Sequence, residues 1–502
     1  MAATSQEVAA FFLRPGAGLR GGGYSAPAPA TPMEVDALLR RLLDSPWTYF
    51  TLAGLLAIVA IASQFRLHVP SRPMGTIDDL AGLPSRKLSV VFVVIDTLRS
   101  DRLSSYGYAR PTSPVLADLA QHGVRFARVE AQSSWTKASM ASLWTGLFPT
   151  HTGVLRSSHA VPDEATLPAE LFQQAGYATA GIWRNGWVGP DFGFQRGFDT
   201  YLRPIAETGP AKFQKHTPGT TSVPGTDEDI TRAAIGFLET HGREPFLLYL
   251  HFMDVHQYAH DEAAAKLGFG TSLSDSYDAS INWVDRNVGT VLGYLEDHDL
   301  FENTLVVVTS DHGEGFREHG TEGHAKSLYQ EVLGVPLILA LPFRLKQGIV
   351  VEPLVRNVDI WPTVLELVGL PPLRKTDGRS LVPAITAAAR GEPAGAAPTS
   401  FAYLDRNWAN RDQPNNPLVS VSSNGRRLLL HTSPERKLEL FDHATDPTEQ
   451  HNLVEERPDW VAELEPQLEQ SLREGPVWGT PREVELDEMS QELLRALGYI
   501  AK

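Results

Sequence analysis

Apolar residues in this chain gather into short unbroken runs, and several of those runs end on an acid or a histidine. Residues 88–95, LSVVFVVI, show no polar alternation beyond Ser89 and stop at Asp96. Residues 246–252, FLLYLHF, lead into Met253-Asp254-Val255-His256. Residues 305–308, LVVV, lead through Thr309-Ser310 into Asp311-His312-Gly313. Such runs predict strands buried on both faces of a parallel sheet. Further strands are predicted at 124–131, 177–183 and 335–341, with helices over 113–122, 135–146, 166–174, 227–240, 273–297 and 358–368. Alternating strands and helices predict an α/β fold with a mostly parallel central sheet flanked by helices. In such sheets ligands bind beyond the carboxyl ends of the strands. Asp96, Asp254, His256, Asp311 and His312 all fall at those ends.

The flanks read differently. Residues 1–44 begin rich in Gly, Ala and Pro and are expected to form a disordered tail. The uncharged run at 45–65, with Trp47, Tyr49 and Phe50 near its start, predicts one transmembrane helix. A cleaved signal sequence with Ala60-Ile61-Ala62 at its cleavage site is the alternative. An anchor leaves the large domain outside the cytoplasm, periplasmic or extracellular; cleavage leaves it secreted. Residues 66–87 are expected as a linker and 88–395 as a catalytic domain, with 385–398 a linker or surface loop. Residues 396–502 are expected as a small C-terminal α+β subdomain, with strands at 401–404, 418–422 and 427–431 and helices at 457–473 and 483–497.

A net charge of −16 argues against nucleic acid as a partner. It leaves an anionic substrate open, because one metal ion with a few cationic side chains reverses the field locally. The absence of cysteine removes disulfides, thiolate ligands and a cysteine nucleophile. Asp311 and His312 side by side offer an oxygen and an imidazole nitrogen, which suit Zn²⁺, Mn²⁺ or Fe²⁺. A turn whose Asp and His merely bond the backbone is the other reading.

Motifs in a fixed order carry a resemblance. They are VFVVIDTLRSDRLSSYGY, SSWTKASMASLWTGLFPTHTG, FLLYLHFMDVHQY, SDHGEGFREHG, GHAKSLYQEVLGVPLI, DGRSLVP, ELFDHATDPTEQHNL and LLRALGYI. From about Ser89 onward the chain resembles the sulfatase family of the alkaline phosphatase superfamily, which implies an alkaline-phosphatase-like fold. In that family the nucleophile opens a helix ten residues before the Gly of a Thr-Gly pair; with Gly146 as that Gly, the position is Thr136. Sulfatases carry a cysteine there, oxidised to formylglycine. The threonine resembles instead the branch of phosphoglycerol and phosphoethanolamine transferases and phosphodiesterases. Met140 stands where the sulfatase signature has Arg.

The resemblance implies Asp96, Thr136, Asp311 and His312 as metal ligands. Thr97 replaces a second acid, which suits one Mn²⁺ or Zn²⁺ better than Ca²⁺, with Mg²⁺ left open. It also implies that His256 and His324 bind the transferred oxyanion or protonate the leaving group, and that Lys326 adds a cation. Arg184 and Asn185 stand in for the family's basic substrate contacts. Arg99, His319 and Asp285 are as readily explained by pairing or turn roles.

A neutral threonine hydroxyl is a poor nucleophile and needs a metal or a base. A unit charge about 4 Å away contributes roughly 4 kcal/mol at an effective dielectric of 20, equivalent to about 3 pK units. An N-cap with Ser139 three residues on is the structural alternative for Thr136. The expected activity is therefore metal-dependent cleavage or transfer of a phosphoester, phosphodiester or phosphonate, with a lipid- or glycan-linked anionic ester as partner. The alternatives are sulfate ester hydrolysis without formylglycine and a non-catalytic membrane-tethered binding protein.

Overall fold

Every residue of Ser89–Ile95 is buried, because both faces of this strand are covered. Val90, Phe92 and Val94 enter one apolar core, while Val91, Val93 and Ile95 enter a second on the opposite face. Side chains alternate sides along a strand, so two cores demand an unbroken apolar run. A computed structural model describes residues 44–62, 72–207, 211, 213–214, 225–393, 395–410 and 412–485.

The main sheet consists of β1 (Ser89–Ile95), β2 (Val124–Glu130), β3 (Ala178–Trp183), β4 (Thr200–Leu202), β5 (Phe246–Phe252), β6 (Thr304–Thr309), β7 (Leu337–Ala340) and β8 (Ile349–Arg356). Their order is β8-β2-β7-β6-β1-β5-β3-β4. All neighbours are parallel except β7, which runs against β2 and β6. A parallel return needs a crossover to the far end of the sheet. Residues 310–336 make none: among the described residues they hold only the short helix Gln330–Leu333. They stay at the carboxyl end of β6, where the chemistry-bearing side chains lie.

The mostly parallel α/β expectation stands, with corrections at the edges. β4 and β8 were not anticipated. β8 carries Pro353 and a register shift between Val351 and Leu354, features tolerated on an edge strand. The linker expected at 66–87 is folded from residue 72: Arg72 is buried, and Ile77–Ser85 is a 3₁₀ helix that buries Leu80 and Leu83. Asp79 caps that helix by accepting the Thr76 N–H at 2.7 Å. The loop expected at 385–398 begins inside a helix, Val382–Arg390, which packs on β8.

The C-terminal sheet has four antiparallel strands, not three: β9 (Ser400–Asp405), β10 (Pro417–Ser423), β11 (Arg426–His431) and β12 (Lys437–Asp442), in that order. Helix Pro458–Arg473 packs on it through Leu464 and Leu468. This sheet and the main sheet belong to one unit, 70–502, rather than to separate domains. Arg427, wholly buried, joins them: it pairs with Glu130 at the end of β2 and donates to Glu449 at 2.8 Å. Of the helix expected at 483–497, residues 483–485 are not helical and the rest lie outside the described residues.

The other unit, 1–69, contributes helix Pro46–Ala62, uncharged throughout its 17 residues. The tail expected at 1–44 lies outside the described residues except for Asp44, as do residues 63–65 of the expected anchor. Among the described residues no helix is long and apolar enough to cross a membrane. Of the span expected at 45–65, the structure describes residues 45–62.

Candidate active site

β6, β1, β5 and β3 are consecutive and parallel, so their carboxyl ends line up. Asp96 follows β1 and is fully buried. Its Oδ2 accepts the Asn185 amide at 2.5 Å and the His251 Nε2–H at 3.1 Å. Its Oδ1 is buried with no hydrogen-bond partner. Asp311, beyond β6, repeats the arrangement. Oδ1 accepts the backbone N–H groups of Thr97 at 3.2 Å and His312 at 3.0 Å, while Oδ2 is buried without a hydrogen-bond partner. Thr97 reaches that position with a left-handed backbone, φ 59°.

His312 is oriented by its own neighbour. Nδ1 donates to the Gly313 carbonyl at 3.0 Å, so Nε2 presents a lone pair. Asp96, Asp311 and His312 bring ligand atoms within 4.8 Å of one another. Burial and the charge of Asp96 push the Asp311 carboxyl up. Against the opposing pull of burial, the hydrogen bond from His251 and the nearby imidazoles hold Asp96 low. Two buried carboxylates, each with one bare oxygen, beside an imidazole lone pair fit a divalent cation. Buried charges of one sign call for such a counterion.

Thr136 is the first residue of helix Thr136–Thr145, and the N-cap position belongs to Trp135, in extended conformation at φ −136°. The threonine hydroxyl is therefore not a cap. Its Oγ1 lies 3.2 Å from His312 Nε2 and accepts the Asn185 amide at 3.4 Å. Ser139, one turn on, donates to the Asp311 carbonyl at 2.6 Å and ties the helix to the Asp311 loop. The opening of this helix faces the site, as helix N-termini that receive oxyanions do. Asn185 is itself set by a local turn, its Oδ1 accepting the Trp187 N–H at 2.9 Å.

His256 and His324 complete the cluster. Their ring centroids are 5.0 Å apart, and the His324 ring lies 4.6 Å from that of His312. Withdrawal from water lowers His256 to about 4. His324 suffers the same withdrawal, yet Glu314, 3.1 Å from its Nδ1, raises it above the ordinary range. The His324 loop is pinned to the turn before Thr136, where Ala325 N–H donates to the Ser134 carbonyl and Ser134 Oγ to the Ser327 carbonyl. Lys326 is exposed, and its Nζ donates to the Glu322 carbonyl at 2.6 Å.

Arg184 is placed elsewhere. It is buried and donates to Asp227 at 2.9 Å, to Asp254 at 2.5 Å and to the Gly225 carbonyl at 2.7 Å. Neighbouring residues on an extended chain point to opposite sides, so Asn185 faces the site while its neighbour braces the His256 loop through Asp254. Arg184→Ala is expected to cost about 3–5 kcal/mol in denaturant unfolding, because two carboxylates lose their buried counterion. A loss within about 0.5 kcal/mol, as for an exposed side chain, would return Arg184 to the substrate side.

Arg99, His319 and Asp285 take the pairing and turn roles that the sequence allowed. Arg99 pairs with Asp101 and Glu318, and His319 bonds Glu331 and the Glu449 carbonyl. Asp285 accepts the Val115 and Leu116 N–H groups, capping helix Pro114–His122. Sequence reading passed over Tyr249, His251 and Glu314. A tyrosine and a histidine two apart in an otherwise apolar strand share one face, and that was the available signal.

Comparison with known proteins agrees with this fold. The family model described as Sulfatase matches residues 89–370, and that of the N-sulphoglucosamine sulphohydrolase C-terminal region matches 318–475. An N-acetylgalactosamine-6-O-sulfatase of Bacteroides thetaiotaomicron is 24% identical, over 77% of this chain and 94% of that protein. A Delta 4,5-hexuronate-2-O-sulfatase of the same organism is 24% identical, over 75% and 86%. Among solved structures, a 2-O GAG sulfatase superposes with TM-score 0.62 at 20% identity, over 80% of this chain and 96% of that one. The phosphonate monoester hydrolase of Agrobacterium radiobacter superposes with TM-score 0.61 at 20% identity, over 77% and 95%. With a family model matching more than half its length and the family's fold around a buried Asp/Asp/His cluster, the chain belongs to the sulfatase family of hydrolases.

Proposed function

We propose that the protein hydrolyses an anionic ester at a single divalent metal centre, with Thr136 as nucleophile and a sulfate ester on a sugar as the first substrate class. The observation that carries the site is Thr136 Oγ1 at 3.2 Å from His312 Nε2, beside the bare oxygens of Asp96 and Asp311. The substrate class rests on the relatives, whose names specify 6-O-sulfated N-acetylgalactosamine and a 2-O-sulfated hexuronate. They reverse the order in which the residues alone rank the two ester classes.

Asp96, Asp311, His312 and Thr136 would hold the cation, which supplies charge neutralisation and a lowered hydroxyl pKa when bound. Thr136 Oγ1 forms a bond to sulfur, its proton passing to water. The bond from sulfur to the sugar oxygen breaks, and His324, whose pKa Glu314 raises, gives that oxygen a proton and recovers one from water. Water then attacks the threonyl ester, releasing sulfate and restoring the hydroxyl. Asn185 and the neutral His256 donate N–H bonds to the transferring oxyanion.

A phosphoester is the second reading, and one observation favours it. The chain has no cysteine to become formylglycine. A threonyl sulfate cannot collapse to an aldehyde and must be attacked directly, as phosphorus chemistry allows. Protein loaded with Mn²⁺ or Zn²⁺ is assayed on 4-nitrophenyl sulfate, 6-O-sulfated N-acetylgalactosamine and bis(4-nitrophenyl) phosphate. The expected result is sulfate release that depends on metal. Phosphodiester turnover more than about tenfold faster would promote the second reading. Metal binding with no turnover of any of the three would leave the non-catalytic alternative.

A further inference from the structure

We propose that Tyr249 and His251 are positioning residues that hold Asp96 as a one-oxygen ligand and so set the affinity of the centre for a divalent transition cation. The inference rests on the reading of Asp96 as a metal ligand. Both residues belong to β5 and, two apart, share one face. Parallel pairing sets His251 opposite Val94 and Phe252 opposite Ile95, which carries the His251 ring to the start of the Asp96 turn.

The polarity of the chain of bonds follows from chemistry. The Asp96 carboxylate only accepts, so His251 Nε2 carries the proton that it donates at 3.1 Å. Nδ1 is then an acceptor, and the Tyr249 hydroxyl, 2.6 Å away, donates to it. In the neutral imidazole these two bonds place the proton on Nε2. Tyr249 is fixed in turn by the core, edge-on to Trp144 at 5.1 Å and tilted on Phe92 at 6.3 Å.

Exposure is 1% at Tyr249 and 0% at His251 and Asp96, so no bulk water can replace a missing donor. With the Asn185 amide on the same oxygen, Oδ2 accepts two hydrogen bonds and Oδ1 is the oxygen left without one. A ligand held by a donor that is itself held loses little freedom when metal binds. Removing such an outer partner commonly weakens binding about 10–100-fold.

The test is calorimetric titration of metal-free, full-length protein with Zn²⁺ and with Mn²⁺. His251→Phe is expected to raise Kd about 10–100-fold. Tyr249→Phe, which keeps the ring and removes only the hydroxyl, is expected to raise it about three- to tenfold. His251→Gln, whose amide still donates, is expected to recover most of the affinity. Kd values equal to the parent's in both Phe variants, with only the melting temperature lowered, would make the pair structural and overturn the inference alone. A parent that binds neither ion would overturn the metal reading and the inference with it. If His251→Phe does not fold, Tyr249→Phe decides the question.

Discussion

Thr136→Ala is expected to lower kcat about a thousandfold or more, with thermal stability nearly unchanged. The substitution removes one hydroxyl and one methyl from a buried site. The lost hydrogen bonds, to His312 and Asn185 at 3.2 and 3.4 Å, are long ones, worth about 0.5–1 kcal/mol of folding free energy. Catalysis, in contrast, loses the atom that forms the covalent bond. Thr136→Ser, which keeps the hydroxyl, is expected to retain a measurable part of the rate and to form the corresponding seryl ester, checked by mass spectrometry. Were Thr136 only a helix-start residue, the Ala variant would keep turnover within about tenfold and lose about 1 kcal/mol of stability. The two roles are thus separated by rate, about a thousandfold loss against less than about tenfold, and not by stability.

Asp311→Asn is expected to change sign between the metal-free and metal-loaded protein. Without metal, the native carboxylate is buried beside Asp96, and burial and that charge raise its pKa. Replacing it with an amide relieves the repulsion, so the metal-free variant should melt above the metal-free parent. With Mn²⁺ or Zn²⁺ at about 1,000 times Kd the parent gains about 4 kcal/mol, and the variant, which presents an amide Nδ2 where the parent has the bare Oδ2, gains little. Activity should fall in parallel, by about a thousandfold. Thermal melts of both proteins with and without metal check this. A variant that melts below the parent under both conditions would show that Asp311 serves the fold and not a cation.

Much of the site was legible along the chain because its residues sit in fixed relation to apolar runs. Asp96, Asp311 and His312 terminate strands whose hydrophobicity is continuous, and such strands end at the ligand-binding edge of a parallel sheet. Thr136 was legible through the family resemblance, which puts the nucleophile ten residues before Gly146, where the helix ends in a left-handed cap at φ 70°. Arg184 was misplaced because composition does not say which side of an extended segment a residue faces. β8 and the helix at 382–390 were missed because edge strands and alanine-rich turns carry weak patterns.

Linear order determined which side chains could carry the chemistry: the acids, the histidines, the threonine, and the absence of any cysteine. It also determined the layered α/β class, since two-sided burial leaves its mark in the central strands. Only the tertiary structure decided which of those side chains meet. Asp96 and His251 are 155 positions apart and touch because β1 pairs with β5, not because of any local pattern. The same holds for the antiparallel course of β7 and for Arg184 turning toward Asp227 and Asp254. Contacts between distant segments depend on strand order and register, which are set by how the whole chain buries its two cores.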